Sequence, residues 1–438
     1  MQISNPWLAA GILAVLPLAA ADAPPHTYAA VHCGTLLDVR TGHGISDAML
    51  LIEDGKVREA GAASRVRLLH SETALDLTRA TCLPGLIDVH DHLTSDPYDS
   101  GYKSLGISVP RRTVKGVRNA RVTLEAGFTT VRNLGAAGYS DIALRDGIIA
   151  GDVMGPRILA SGPPLGITGG HCDNNLLAPE YHGTREGVAD GPWAARAKVR
   201  EVIKYGADVV KICASGGVLS KGDQAGAPQY TLEEIQAIVD EAHKLGRKVA
   251  AHAHGTQSIK DSIRAGIDSV EHCSLIDDEG IALAKKAGTF LVFDIYNDDF
   301  IMHQGLQAGM LPESIEKERQ IGVLQRENFQ RAYKAGARMA FGTDGGVYPH
   351  GENARQLTLM VKLGMTPIEA IQTATVNAAE LLGWAHTVGS LEPGSFADLI
   401  AVDRDPLADI SQLEHVKFVM KNGEVVKNEI RLAVKIAQ

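Results

Sequence analysis

The chain has 438 residues, 45% of them apolar and 22% charged, which is enough to bury a large core and lies far from disordered or collagen-like compositions. With Lys+Arg 43 against Asp+Glu 52 the formal net charge is −9. No cationic excess is available to neutralise a phosphate backbone, so a nucleic-acid partner is not expected.

Residues 1–23 read as a secretory signal peptide, with an apolar run over 8–21 and small residues before Asp22. That run is too short to cross a hydrocarbon layer of roughly 30 Å comfortably. No Lys or Arg precedes it, and no later segment approaches spanning length. Export to the periplasm or medium is expected, with no membrane partner for the mature form. The five cysteines, Cys33, Cys82, Cys172, Cys213 and Cys273, show no CxxC spacing. They suggest neither a zinc ribbon nor a disulfide scaffold, and Cys82, Cys213 and Cys273 read as small apolar fillers of strands.

Residues 27–80 and 386–430 carry hairpin signals. Asp54-Gly55 and Asn422-Gly423 each sit between apolar residues, where a type I′ turn fits. Neither end has enough apolar face alone, so a small β-sandwich built from both is predicted. Between them, over 81–385, apolar runs alternate with amphipathic helical stretches. Strands are predicted at 82–89, 128–134, 157–163, 209–214, 249–254, 269–274, 289–295 and 338–343. Glycines at 127, 206, 246, 266, 288 and 336 mark helix ends. Thr231-Leu232-Glu233-Glu234 is a capping box, and Thr366-Pro367-Ile368-Glu369 is a second helix start. Apolar strands each followed by a helix imply a parallel sheet covered outside, and a closed (β/α)8 TIM-like barrel is the economical arrangement. An open doubly wound sheet is the alternative.

Chemistry-bearing residues fall at the carboxyl ends of these strands, where barrel enzymes place their sites. Ile87-Asp88-Val89-His90-Asp91-His92 puts two imidazoles on one strand face, able to converge on one metal. His252, followed by His254, closes the fifth strand. His272 closes the sixth, and Asp344 the eighth. Lys211 lies inside the core strand Val209-Val210-Lys211-Ile212, where an ammonium is costly. If the amine takes up carbon dioxide it becomes an anionic carbamate with two oxygens, able to bridge two metals. Two sites follow: His90, His92, Asp344 and the carbamate for one, and the carbamate, His252 and His272 for the other. Such a centre ionises water and polarises the carbonyl it attacks, and Asp344 is placed to take and return the proton. Imidazole and carboxylate ligands favour two Zn2+ per chain, with Mn2+ or Co2+ as alternatives.

Pro84 to His92, Val210-Lys211, the single-strand histidines, Thr343-Asp344 and the tail 389–400 together resemble the amidohydrolase superfamily. Thr168-Gly169-Gly170-His171, Ala251 to Gly255 and Pro349-His350-Gly351-Glu352-Asn353-Ala354 are similar to its imidazolonepropionase-like branch, which includes Xaa-Pro dipeptidases and metal-dependent carboxypeptidases. The resemblance implies two zinc ions, a carboxylated Lys211, a homo-oligomer such as an octamer, and hydrolysis of an amide whose amine half is a C-terminal amino acid. Dipeptides and N-acyl amino acids are the expected substrates. Ochratoxin A, which yields phenylalanine on hydrolysis, fits the second class. By position, His171 is expected to polarise the scissile carbonyl and Tyr230 to reach the substrate carbonyl or carboxylate. His254 would support its neighbours, and Asp91 departs from the small or apolar residue more usual there. A hydrolytic deaminase or cyclic-amide hydrolase of the same superfamily, and a non-catalytic scaffold, are the competing readings.

Overall fold

The computed structural model describes residues 26–68 and 74–430, so the signal-peptide reading of residues 1–23 lies outside the described residues. Among those described, no helix is long and apolar enough to cross a membrane.

Strands from both ends of the chain share one seven-stranded sheet. Its order is Glu424–Asn428, Phe418–Lys421, Leu399–Val402, Ala74–Pro84, Tyr28–Asp38, His43–Glu53 and Lys56–Ala62. Both anticipated hairpins turn on residues with positive φ, at Asp54-Gly55 (+50°, +74°) and Asn422-Gly423 (+52°, +78°), as type I′ geometry requires. The sandwich takes the form of one continuous sheet curled on itself. Lys56 at one edge bridges Phe396, and Val57 N–H donates to Ser395 O at 2.9 Å. Val31, Leu50, Leu77, Leu399 and Phe418 fill the enclosed core.

The expected first core strand is two strands. Ala74–Pro84 belongs to the end sheet, whereas Leu86–Asp91 begins the parallel core. Gly85 lies at the crossing, where a Cβ would stand 2.2 Å from Thr129 Oγ1. Parallel strands Leu86–Asp91, Phe128–Asn133 and Arg157–Ala160 form one sheet, and Val209–Cys213, Lys248–Ala253, Ser269–His272 and Phe290–Val292 another. Main-chain bonds span both gaps between the two sheets. On one side Leu165 N–H donates to Lys211 O and Cys213 N–H to Leu165 O, both at 2.8 Å. On the other, Leu291 N–H reaches Arg338 O and Val89 N–H reaches Phe341 O, both at 2.9 Å. The predicted eighth strand, 338–343, is therefore a connecting segment with a single bridge from Met339 to Leu291. The third and seventh strands end early, at Ala160 and Val292.

Both halves of the Thr231/Glu234 capping box are formed ahead of helix Leu232–Lys244, and those of Thr366/Glu369 ahead of Pro367–Thr373. The six punctuating glycines have φ between +71° and +103°.

The cysteine reading needs correction. Cys33 pairs with Cys82 and Cys172 with Cys213, at Cα separations of 6.1 and 5.9 Å, and only Cys273 is free. Each pair joins residues more than 40 positions apart (49 and 41): Cys33 and Cys82 sit on neighbouring parallel strands, and Cys172 on a loop laid over the strand that ends at Cys213, placements that spacing alone does not reveal. The second bridge ties the loop carrying His171 to the strand carrying Lys211.

Candidate metal centre and its cavity

Four of the parallel strands deliver the cluster at their carboxyl ends. His90 Nε2 lies 3.3 Å from Lys211 Nζ and 3.5 Å from Asp344 Oδ1, and His92 Nε2 lies 3.0 Å from the same oxygen. The rings of His252 and His272 are 4.5 Å apart, and those of His90 and His272 5.1 Å. Ligand atoms of His90, His92 and Asp344 lie within 4.8 Å of one another, and so do those of His252, His254 and His272. His254, expected only to support its neighbours, thus enters the same trio, stacked on His272 at 4.6 Å.

Outer acceptors take up one nitrogen of most of these rings. His92 Nδ1 meets Gly135 O at 3.2 Å, His254 Nδ1 meets Ser274 Oγ at 2.7 Å, and His272 Nδ1 meets Asp294 Oδ2 at 2.8 Å. His90 Nδ1 faces Glu271 Oε2 at 3.3 Å. The Nε2 lone pairs are thereby left for the interior, the orientation that metal-binding histidines require. Asp294 is held in turn by Asn297 Nδ2 at 2.6 Å and Gln325 Nε2 at 2.7 Å. Buried Arg132 donates to Glu271 Oε1 at 2.9 Å, to Ser269 Oγ at 3.1 Å and to Val89 O at 2.5 Å. Opposite, Asp88 accepts from the N–H groups of His90 and Thr343 at 3.1 Å and from Asn353 Nδ2 at 2.8 Å. Asn353 also reaches Asp91 Oδ2 at 3.2 Å, which turns Asp91 away from the cluster. His272 and Asp344 both hold positive φ, +70° and +57°. Such backbone is strained for non-glycine residues and persists where neighbours fix it. At Asp344 the N–H bond to His90 O, 2.7 Å long, does so.

Burial governs the electrostatics. It presses His90, His252 and His254 well below the usual imidazole range, so they stay neutral and able to ligate. It also lowers the Lys211 amine to about 8, against the opposing pull of Glu271 and Asp344. Burial would raise Asp344, but His90 and His92 outweigh it and hold the carboxyl below the usual carboxylate range.

A cavity of about 350 Å³ opens from this cluster, with Leu176, Val218, Leu219, Ile301 and Met310 among its apolar walls. His171 lines it. Its ring stacks on His252 at 4.1 Å, and its Nδ1 meets Ser220 Oγ at 2.8 Å, with burial lowering it to about 4. Gly217 allows this approach, since a Cβ there would lie 2.2 Å from His171 Nδ1. Tyr230 does not reach the cavity, which corrects the expected substrate contact. It is 3% exposed, and its hydroxyl donates to Ala189 O at 3.2 Å. Placed just before the helix cap at Thr231, its ring turns into the core. Glu271 and Asp88 carried a sequence signal as charges inside apolar strands. Asp294, in the apolar run 289–295, carried the same signal; Asn297, Glu318 and Gln325, which line the cavity with it, carried none.

A profile of the amidohydrolase family matches residues 81–426. The chain belongs to the amidohydrolase family. Ochratoxinase of Aspergillus niger is 33% identical over 94% of this chain and 89% of its own length. Its crystal structure superposes with a TM-score of 0.81 at 31% identity, covering 92% of this chain and 96% of that one. A Xaa-Pro dipeptidase with methionine bound in its active site gives a TM-score of 0.83 at 36% identity, over 91% of this chain and 99% of that one. This amidohydrolase is thus a hydrolase acting on amide bonds, with a TIM-barrel-like α/β fold and a flanking sheet.

Proposed function

We propose that the protein is a binuclear metal-dependent amidohydrolase that cleaves the amide bond to a C-terminal amino acid. In this reading the two parallel sheets act as one closed (β/α)8 barrel flanked by the domain built from residues 27–80 and 386–430. The observation that carries it is the meeting of two trios of ligand atoms beside Lys211 at the floor of a cavity with both polar and apolar walls. The donor set fits divalent cations. It combines the neutral buried imidazoles of His90 and His252, outer acceptors that aim the rings of His92 and His272, and a lysine 3% exposed with no carboxylate within salt-bridge distance among the described residues. His90, His92 and Asp344 would hold one Zn2+, and His252 and His272 the other, with Lys211 as a carbamate between them; Mn2+ or Co2+ suits the same ligands. Bound cations of this kind act as Lewis acids that acidify water and polarise a carbonyl.

The remaining work falls to the chain itself. Asp344, kept ionised, takes a proton from the attacking water on a carboxylate oxygen and passes it to the leaving nitrogen. Asn297 Nδ2, 3.2 Å from Asp344 Oδ2, holds that carboxylate in place. His171, on the disulfide-anchored loop, donates to the scissile carbonyl.

Similarity to ochratoxinase and to a Xaa-Pro dipeptidase supports small N-acyl amino acids, ochratoxin A among them, or dipeptides as substrates. Two disulfides together with the apolar amino-terminal segment support export to an oxidising compartment, and the family resemblance supports a homo-oligomer. Zinc-loaded protein incubated with ochratoxin A, N-acyl-phenylalanines and Xaa-Pro and Xaa-Phe dipeptides tests the reading by amino-acid release. Absence of release from all of them, with metal bound, overturns it.

A further inference from the structure

The amide-hydrolase reading, on which this inference rests, leaves a carboxyl group in the cavity wall, and a buried amide oxygen behind it, that no donor among the described residues meets. Asn297 Nδ2 donates to Asp294 Oδ2 at 2.6 Å and to Asp344 Oδ2 at 3.2 Å, which fixes the amide and turns its oxygen the other way. That oxygen is buried and has no hydrogen-bond partner among the described residues. Glu318, on helix Pro312–Lys334, lines the same cavity and is 5% exposed. Among the described residues no cation lies within ion-pair distance of its carboxylate.

Its surroundings are of like charge. A Cβ on Gly322 would stand 2.7 Å from both Glu318 Oε1 and Asp298 Oδ1, so these carboxylates crowd one helical turn. Arg326, the nearby cation, is taken by Asp298 at 3.1 Å and Asp299 at 2.8 Å. Burial, then Asp298 and Asp294, push Glu318 up to about 8. A buried carboxylate without a partner is costly, and a native fold retains one where something supplies the missing donors.

We propose that Glu318 forms an ammonium-recognition subsite in the cavity wall, so that the acyl half of the preferred substrate carries a protonated amine, as the first residue of a dipeptide does. An ammonium brings three donors and the positive charge that Glu318, Asp298 and Asp294 together favour. Glu318 and Asp344 line the same cavity, so the subsite and the proton carrier face one ligand space. The α-amine of a dipeptide, two bonds from the scissile carbon, must sit close to that carrier. An N-acyl amino acid lacking the amine leaves the Glu318 carboxyl unpaired, which costs affinity.

Ala-Phe and propionyl-Phe differ only in that amine. Their hydrolysis is compared in the metal-loaded full chain and in E318Q, alongside calorimetric binding of alanine and propionate, which are not hydrolysed. In the wild type kcat/KM should favour Ala-Phe by at least about tenfold, and alanine should bind more tightly than propionate by a similar factor. E318Q should shrink both preferences to within about threefold, through a raised KM for Ala-Phe. Glutamine is nearly isosteric, and circular dichroism checks that the variant folds. Equal handling of the two compounds by the wild type, or a preference that survives in E318Q, overturns the subsite. If neither compound is hydrolysed yet alanine binds preferentially in a Glu318-dependent way, the subsite stands and the amidase reading fails. If alanine and propionate also bind alike, both fail.

Discussion

The floor and the wall of the cavity are built on different principles. The floor is assembled from strand ends: His90, His92, Lys211, His252 and His272 each follow or interrupt an apolar run, and His90 and His272 are backed by the buried carboxylates of Glu271 and Asp294. The wall comes from loops and helices, with His171 held by a disulfide beside it and Glu318 presented by a long helix with no ion-pair partner among the described residues. A floor so over-determined suits chemistry that tolerates little displacement. A wall with unmet acceptors suits selection among ligands. The contrast teaches that reaction type and substrate choice are separable in this molecule.

Several changes would break or sharpen that contrast. The largest effect is expected from Lys211→Ala, which should abolish amide hydrolysis and release bound metal, read by metal analysis beside the rate. Glu271→Gln and Asp294→Asn, which touch only the partners of the floor, should each lower metal affinity or kcat by about 10- to 100-fold while changing KM little. Opening the second disulfide with paired Cys172→Ser and Cys213→Ser should destabilise the fold by about 2–4 kcal/mol in denaturant titrations. The same pair should raise KM more than it lowers metal content, because the freed loop carries His171.

A smaller effect belongs to Glu318 and depends on pH. The unfolded carboxyl releases its proton near 4.5 and the folded one at about 8, so between these values the folded state holds more protons and loses stability as pH rises. The Tm advantage of E318Q over the wild type should therefore be small at acidic pH, grow through that window and level off above it. The smallest effect is expected from Tyr230→Phe. It removes one hydrogen bond, to Ala189 O, costing about 1 kcal/mol of stability and leaving KM unchanged. A large rise in KM would restore the substrate role that the sequence suggested.

The floor was legible because strand ends are legible. A polar residue that closes a β-branched run, as in Val270-Glu271-His272, has few reasons to be there apart from chemistry. The hairpins at Asp54-Gly55 and Asn422-Gly423 were readable for a comparable local reason, the need for positive φ. What escaped depends on contacts between distant segments. The two disulfides bridge residues that meet only after the parallel strands pair. The segment 338–343 looks like a strand by composition, yet it makes only scattered main-chain bonds to its neighbours. Tyr230 was misread because a tyrosine before a helix cap can turn toward the cavity or the core, and only the packing around Ala189 decides. Asn297 and Glu318 look like ordinary helix polar residues until the fold aims them inward.

The most direct test is electron density at position 211 in crystals grown with zinc and bicarbonate. Density continuing past Nζ as a planar carboxylate, flanked by two anomalous peaks within reach of the histidines, is the predicted result. A bare amine with no ion on either side under those conditions would contradict the account.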